Sequence, residues 1–232
     1  MKKLLTSVLF TAVSFVTGHV LAQDLQGDAK AGEKKIAMCI GCHGIKGYQA
    51  TFPEVYRVPM ISGQNAKYIS NALTAYRSGE RKHPTMRGIA ASLNDQDIAD
   101  ISAYYAAHSQ AAPAPEKAAE PTGKVAELIT KGACSSCHGA NYSKGIDGSY
   151  PKLAGQNADY LYVALKSYKA ENQGTWGRNN GIMGGIAKQF SNAELKEIAK
   201  YLAAQPGEMQ VVPSRDDRPS RRGAEEDAGE EY

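Results

Sequence analysis

Cys39-Ile40-Gly41-Cys42-His43 and Cys134-Ser135-Ser136-Cys137-His138 are the two places in this 232-residue sequence where residue type and spacing together specify a chemistry. Two thiols three positions apart share one helical face and reach the two vinyl groups on one edge of a porphyrin. The histidine that follows directs its imidazole at the iron. This is the pattern of covalent c-type haem attachment, and it uses all four cysteines of the chain. Two other chemistries draw on the same residue types. A thiol–disulfide C-x-x-C belongs beside a βαβ pattern, which the sequence lacks. A zinc site would take cysteines and histidines that two complete haem signatures already account for.

Each iron then needs a sixth ligand. After His138 the sequence holds no further histidine, and Met183 and Met209 are its only remaining methionines. Met209 falls in a charged end expected to be disordered, which leaves Met183. Its counterpart is Met86: both stand in Met-x-Gly-Ile-Ala, 43 and 45 residues after the respective histidines. A lone methionine usually fills core space, but two at matched positions after two haem motifs read as thioether ligands. His83 rivals Met86 in the first half and has no histidine equivalent in the second. Met60 aligns with Lys152 and reads as packing. The metal set is therefore His43, Met86, His138 and Met183, and the cofactor-binding set adds Cys39, Cys42, Cys134 and Cys137. A metal-bound histidine usually gives its other N–H to a carbonyl. Pro59 and Pro151 offer carbonyls at suitable distance, with a plain turn as the alternative. Trp176 and the tyrosine-rich helices read as haem packing or ordinary core.

The segments that position these residues are written twice. Pro59 to Tyr68 matches Pro151 to Tyr160 at six of ten positions, and the Met-x-Gly-Ile-Ala block follows in both halves. Helical periodicity places Ile98, Ile101 and Tyr105 on one face, and Leu195, Ile198 and Leu202 on another. Asn94 with Asp97 and Ser191 with Glu194 are capping pairs, with Leu93/Ile98 and Phe190/Leu195 at staple spacing. Helices are expected after Asn65 and Asn157, and a first helix is expected to run into each cysteine pair. No period-2 strand is evident. The fold class is all-α, about three main helices per half, in two tandem domains.

The expected organisation is a signal peptide over 1–22, an N-terminal domain over 23–108, a Pro/Ala linker over 109–121, a C-terminal domain over 122–205, and a disordered charged tail over 206–232. Lys2 and Lys3 precede the apolar run Leu4 to Val16, and Val20-Leu21-Ala22 is a small-residue cleavage pattern; the run is short for a bilayer span. The formal net charge is +3. Eight acids and four arginines from Glu208 to Tyr232 give that end −4. The rest carries too little positive charge, and no basic stripe, for nucleic-acid binding.

Two C-x-x-C-H motifs, Pro-x-Leu/Ile-x-Gly-Gln in each half and a late Met-x-Gly resemble the cytochrome c4 family over nearly all of residues 27–205. The resemblance implies two tandem class-I cytochrome c domains packed face to face and related by a pseudo-two-fold axis, two covalently attached haem c groups, and a periplasmic carrier. It leaves open a loose association with the membrane surface. It implies a quinol-oxidising complex or dehydrogenase as donor and a terminal oxidase or other reductase as acceptor. The stretch Thr51 to Val58 is longer than its second-half equivalent and departs from the pattern.

His/Met ligation fills both axial positions and raises the potential. An iron without an open position changes by one electron and binds no substrate. The expected function is single-electron transport, with no catalytic residues and no enzyme activity. The alternative is the cytochrome subunit of a sulfide- or thiosulfate-type dehydrogenase complex. A dihaem peroxidase ranks third, because it needs an available iron position.

Overall fold

The computed structural model describes residues 25–170 and 174–213. The expected signal peptide and the tail beyond Pro213 lie outside the described residues.

The first half opens with α1 (Ala29–Glu33), capped by the Asp28 carboxylate accepting from the Lys30 and Ala31 amides. It continues through α2 (Ala37–His43), a short antiparallel hairpin β1 (Gln49–Ala50) and β2 (Tyr56–Arg57), α3 (Ala66–Ser78), β3 (Arg81–Lys82), α4 (Pro84–Ala91) and α5 (Asp95–Ala107). The second half repeats the helices as α6 (Gly123–Lys131), α7 (Cys134–His138), α8 (Ala158–Ala170), α9 (Gly181–Ala187) and α10 (Asn192–Ala203), with β4 (Gly177–Arg178) before α9. The fold is all-α; among the described residues each half has five helices, several of them short, beside the longer ones expected. The capping boxes at Asn94/Asp97 and Ser191/Glu194 both form.

Two expectations are corrected. The helix before each cysteine pair is interrupted. Lys34–Ile36 separates α1 from α2, and Ala133 in a left-handed conformation (φ 46°) separates α6 from α7. Four two-residue strands also occur among the described residues. They are too short to produce a period-2 signal.

Each half has its own core. Ile98, Ile101 and Tyr105 of α5 pack with Ile69 and Leu73 of α3, and Met86 and Leu93 lean against them. Leu195, Ile198 and Leu202 of α10 pack with Leu161 of α8, Leu128 of α6 and Phe190. In the first half α1 lies across α5. Asp100 sits beneath it, 2% exposed, accepting from the Asp28 amide at 2.8 Å and from Lys35 Nζ at 2.7 Å. The Asp28 amide first, then Lys35, hold its carboxyl down at about 2. A depressed native pKa stabilises the fold above the ordinary carboxylate value near 4, and that stabilisation is lost as pH falls towards about 2. Asp100→Asn should therefore be less stable than the parent at pH 7, with the gap narrowing between pH 4 and pH 2. Urea denaturation at several pH values checks this, and a gap constant with pH would refute it.

The halves meet through the repeated Gly-Gln-Asn segment. Gln64 Nε2 donates to the Lys152 carbonyl at 3.0 Å and Gln64 Oε1 accepts from the Lys152 amide at 2.9 Å. Gln156 makes the mirror pair with Met60, at 2.9 and 3.1 Å. Asn65 Nδ2 donates to the Tyr150 carbonyl and Asn157 Nδ2 to that of Val58. Each donor and its target occupy equivalent repeat positions, which is the signature of a pseudo-two-fold axis. Gly63 and Gly155 precede the glutamines with φ of +88° and +74°, a conformation that favours glycine. A Cβ at Gly63 would also run into the Glu208 carbonyl.

The tail boundary at 206 is a further correction. Residues 206–213 pack on both halves. Gln210 N donates to the Ser62 carbonyl at 3.0 Å, Glu208 pairs with Lys152, and Met209 is 6% exposed. Its sulfur lies 3.2 Å from Gln64 Nε2 and 3.6 Å from Gln156 Nε2. The charge-rich composition beyond Pro213 masked one apolar anchor. The segment 109–121 is held to this end: the Ala114 amide donates to the Glu208 carboxylate and the Ala119 amide to Gln205.

Candidate functional site

Both C-x-x-C-H motifs open onto one continuous cavity of about 1140 Å³. Cys39, Cys42, His43 and Met86 line it from the first half, and Cys134, Cys137, His138 and Met183 from the second. All eight residues singled out in the sequence therefore face one space. Met60 also lines it, while its backbone pairs with Gln156. Trp176 is not among its lining residues.

The two histidines are held alike. His43 Nδ1 lies 2.9 Å from the Pro59 carbonyl, and His138 Nδ1 lies 3.1 Å from that of Pro151. A carbonyl only accepts, so Nδ1 carries the proton and Nε2 keeps its lone pair. Burial, partly offset by these bonds, lowers both imidazole pKa values, which favours the neutral, ligating form. The prolines are thus orienting acceptors and not merely turn residues.

The methionines are also held alike. Each is the third residue of a short helix whose N-cap side chain accepts from its amide. His83 caps α4 on Met86 N, and Asn180 caps α9 on Met183 N. This explains His83: it is the positional equivalent of Asn180. Its Nδ1 faces the Met86 amide, and its Nε2 lies 3.1 Å from the Tyr56 hydroxyl.

The thiols do not suit the competing chemistries. All four are free. Burial pushes Cys39 up to about 11 and raises Cys134, whereas a redox C-x-x-C depends on a depressed thiol pKa. Among the described residues no three His, Cys, Asp or Glu side chains converge as a metal cluster. A roomy, largely apolar cavity with paired thiols, two neutral imidazoles and two thioethers fits two porphyrins.

A sequence model of the family described as Cytochrome c matches residues 29–108 and 123–205. The cytochrome c4 of Pseudomonas aeruginosa is 32% identical over 209 residues, covering 87% of this chain and 98% of that protein. This chain belongs to the dihaem cytochrome c4 family. The reduced recombinant cytochrome c4 structure from Pseudomonas stutzeri superposes with a TM-score of 0.58 at 27% identity, covering 77% of this chain and 99% of that one. A protein named thiosulfate dehydrogenase electron acceptor, from Stutzerimonas stutzeri, is 34% identical over 191 residues, covering 77% of this chain and 82% of its own length. Like its cytochrome c4 relatives, the chain is a dihaem electron-transfer protein with two covalently bound haem c groups.

Sequence reasoning missed two groups of site residues. Gln64 and Gln156 were visible as repeats, but their role across the junction was not. Arg81 and Arg178 were passed over, although each lies five residues before its methionine. Both are buried and line the cavity among Tyr68, Tyr76, Tyr160 and Tyr168. The shared spacing to Met86 and Met183 was the signal available.

Proposed function

We propose that this cytochrome is an exported, periplasmic one-electron carrier between respiratory redox proteins, with His43 and Met86 as the axial pair of one haem and His138 and Met183 as that of the other. The observation that carries this reading is the matched geometry of the two halves. In each, a carbonyl-oriented neutral histidine and a capped-helix methionine line the same cavity. The bound haems supply an iron that changes by one electron. Cys39, Cys42, Cys134 and Cys137 anchor the macrocycles. Pro59 and Pro151 fix the tautomer and ring plane of the histidines. Met86 and Met183 would supply the second protein ligand to each iron, which would withhold the irons from peroxide and other substrates and argues for a carrier without enzyme activity. Core side chains such as Ile101 and Leu195 give the cavity apolar walls.

The export reading rests on the sequence of residues 1–22. Among the described residues no helix is long and apolar enough to cross a membrane. A second reading, electron acceptor of a thiosulfate-type dehydrogenase, is favoured by the relative that bears that name. A structure titled thiosulfate dehydrogenase (TsdBA) from Marichromatium purpuratum supports it, with a TM-score of 0.54 over 78% of this chain and 40% of that one.

A potentiometric titration of the mature protein, followed by visible spectroscopy, tests the carrier reading. Two one-electron steps with low-spin His/Met spectra are expected, without turnover of hydrogen peroxide at an enzymatic rate. A high-spin haem with peroxide turnover would overturn it. Rapid reduction by a purified thiosulfate dehydrogenase, and not by a quinol-oxidising complex, would select the second reading.

A further inference from the structure

Tyr105 is 3% exposed, and its hydroxyl is buried without a hydrogen-bond partner. Such a group is costly, and buried polar atoms nearly always find a partner. The residue lines the cavity that receives the haems, and Cys39 packs against the same core cluster. The two side chains act on each other. Burial first, then Cys39, pushes the Tyr105 hydroxyl far above the usual phenol range, and Tyr105 works against the burial that raises Cys39. The hydroxyl therefore keeps its proton at any working pH and is a standing donor.

The second half has no counterpart to it. The spacing that takes Met86 to Met183, Ile101 to Ile198 and Tyr104 to Tyr201 takes Tyr105 to Leu202. The backbone repeats that register: the Gly63 amide donates to the Tyr105 carbonyl at 2.8 Å, and the Gly155 amide to that of Leu202 at 3.2 Å. Leu202 is equally buried, lines the same cavity and packs with Cys134, but carries no donor. A phenol stands in one half where an alkyl group stands in the other.

A free thiol both donates and accepts, whereas a thioether has lost its proton and only accepts, weakly. Haem attachment at Cys39 thus turns the sulfur beside Tyr105 into an acceptor. We propose that Tyr105 donates a hydrogen bond to the Cys39 thioether sulfur and thereby raises the reduction potential of the first haem, while the second haem has no such donor. The inference rests on Cys39 as a haem anchor. The direction follows from charge: the positive end of the O–H dipole points towards the macrocycle edge and favours the ferrous state, which carries one positive charge fewer. Hydrogen bonding around a haem is one of the levers that set its potential. Tyr105 acts through the Cys39 sulfur and is a positioning residue.

The holoprotein, checked by mass for two attached macrocycles, tests this in two ways. Resonance Raman spectra of the parent in water and in deuterium oxide read the carbon–sulfur stretching bands. One thioether band should shift on deuteration, and the shift should vanish in Tyr105→Phe. That variant keeps the ring, so its axial-ligand spectra should be parental. Its one-electron reduction constant should fall about threefold at one haem, roughly 30 mV at ~59 mV per tenfold, and stay parental at the other. Tyr104→Phe is the control. Tyr104 is not among the cavity-lining residues, and its hydroxyl lies 3.1 Å from His108 Nε2, so both potentials should hold.

A sulfur band insensitive to deuteration in the parent would place the hydroxyl on a buried water and overturn the proposal. Parental or raised potentials in Tyr105→Phe, or equal shifts at both haems, would do the same. The Raman comparison of the parent needs no variant and decides even if Tyr105→Phe fails to mature. A parent mass without two macrocycles would fault the haem reading itself, separately from the role of Tyr105.

Discussion

Met183→Ala should lower the potential of the second haem by on the order of 0.1 V or more, within the ~0.8 V that axial ligands span, and should open its iron to carbon monoxide. No other soft donor stands ready to replace the thioether. His138 is the last histidine in the chain. Met209, the one other methionine after it, is buried against Gln64 and Gln156 at the junction and is not among the cavity-lining residues. Asn180 holds the start of α9 through the residue-183 amide, so alanine there leaves the helix in place and removes only the sulfur. The first haem, with Met86 on its own capped helix, should keep its spectrum. A redox titration indistinguishable from the parent would remove Met183 from the ligand set.

The second large effect concerns the junction. Gln64→Ala combined with Gln156→Ala removes both pairs of hydrogen bonds to the opposite half's backbone, together with those each side chain accepts from Asn65 N and Asn157 N. The amides and carbonyls of Met60 and Lys152, which are partly buried, lose their partners, at about 1 kcal/mol for each group left unpaired. The double variant should lose about 4 kcal/mol or more by the same reckoning. It should also unfold in two resolved calorimetric transitions, because each half retains a separate core. The two substitutions share Met209 as a neighbour and are expected to be non-additive. A single transition at the parental temperature would show that these bonds do not hold the halves together.

Much of this was legible in the residues. The C-x-x-C-H motifs, the paired methionines and the capping boxes are local patterns whose physics depends on a few neighbouring positions. They reappear in the structure as cavity-lining groups and formed caps. The proline carbonyls were reachable too, because a ligand histidine needs an acceptor and the repeat offered one. What depended on contacts far apart in sequence was not legible. Gln64 reaches Lys152 across 88 residues and Met60 reaches Gln156 across 96. No periodicity announces that. Met209 was discounted because its neighbours are charged, although one apolar side chain at a polar junction is enough to anchor a segment. The break before Cys134 rests on one left-handed alanine, which propensity disfavours and only tertiary packing explains. His83 looked like a ligand candidate because its type matched. Its place as a helix cap became evident once Asn180 was seen in the same role.

The position of Met209 bears on the order in which the molecule is completed. Its sulfur touches both glutamines from a stretch of chain that follows both lobes in the sequence. During synthesis either lobe is able to collapse about its own apolar centre as soon as its helices emerge, but the side chain seated between them arrives only after both lobes have been made. A chain released short of residue 209 would carry both lobes without the side chain that sits between the two glutamines, so their mutual docking would lack one of its contacts.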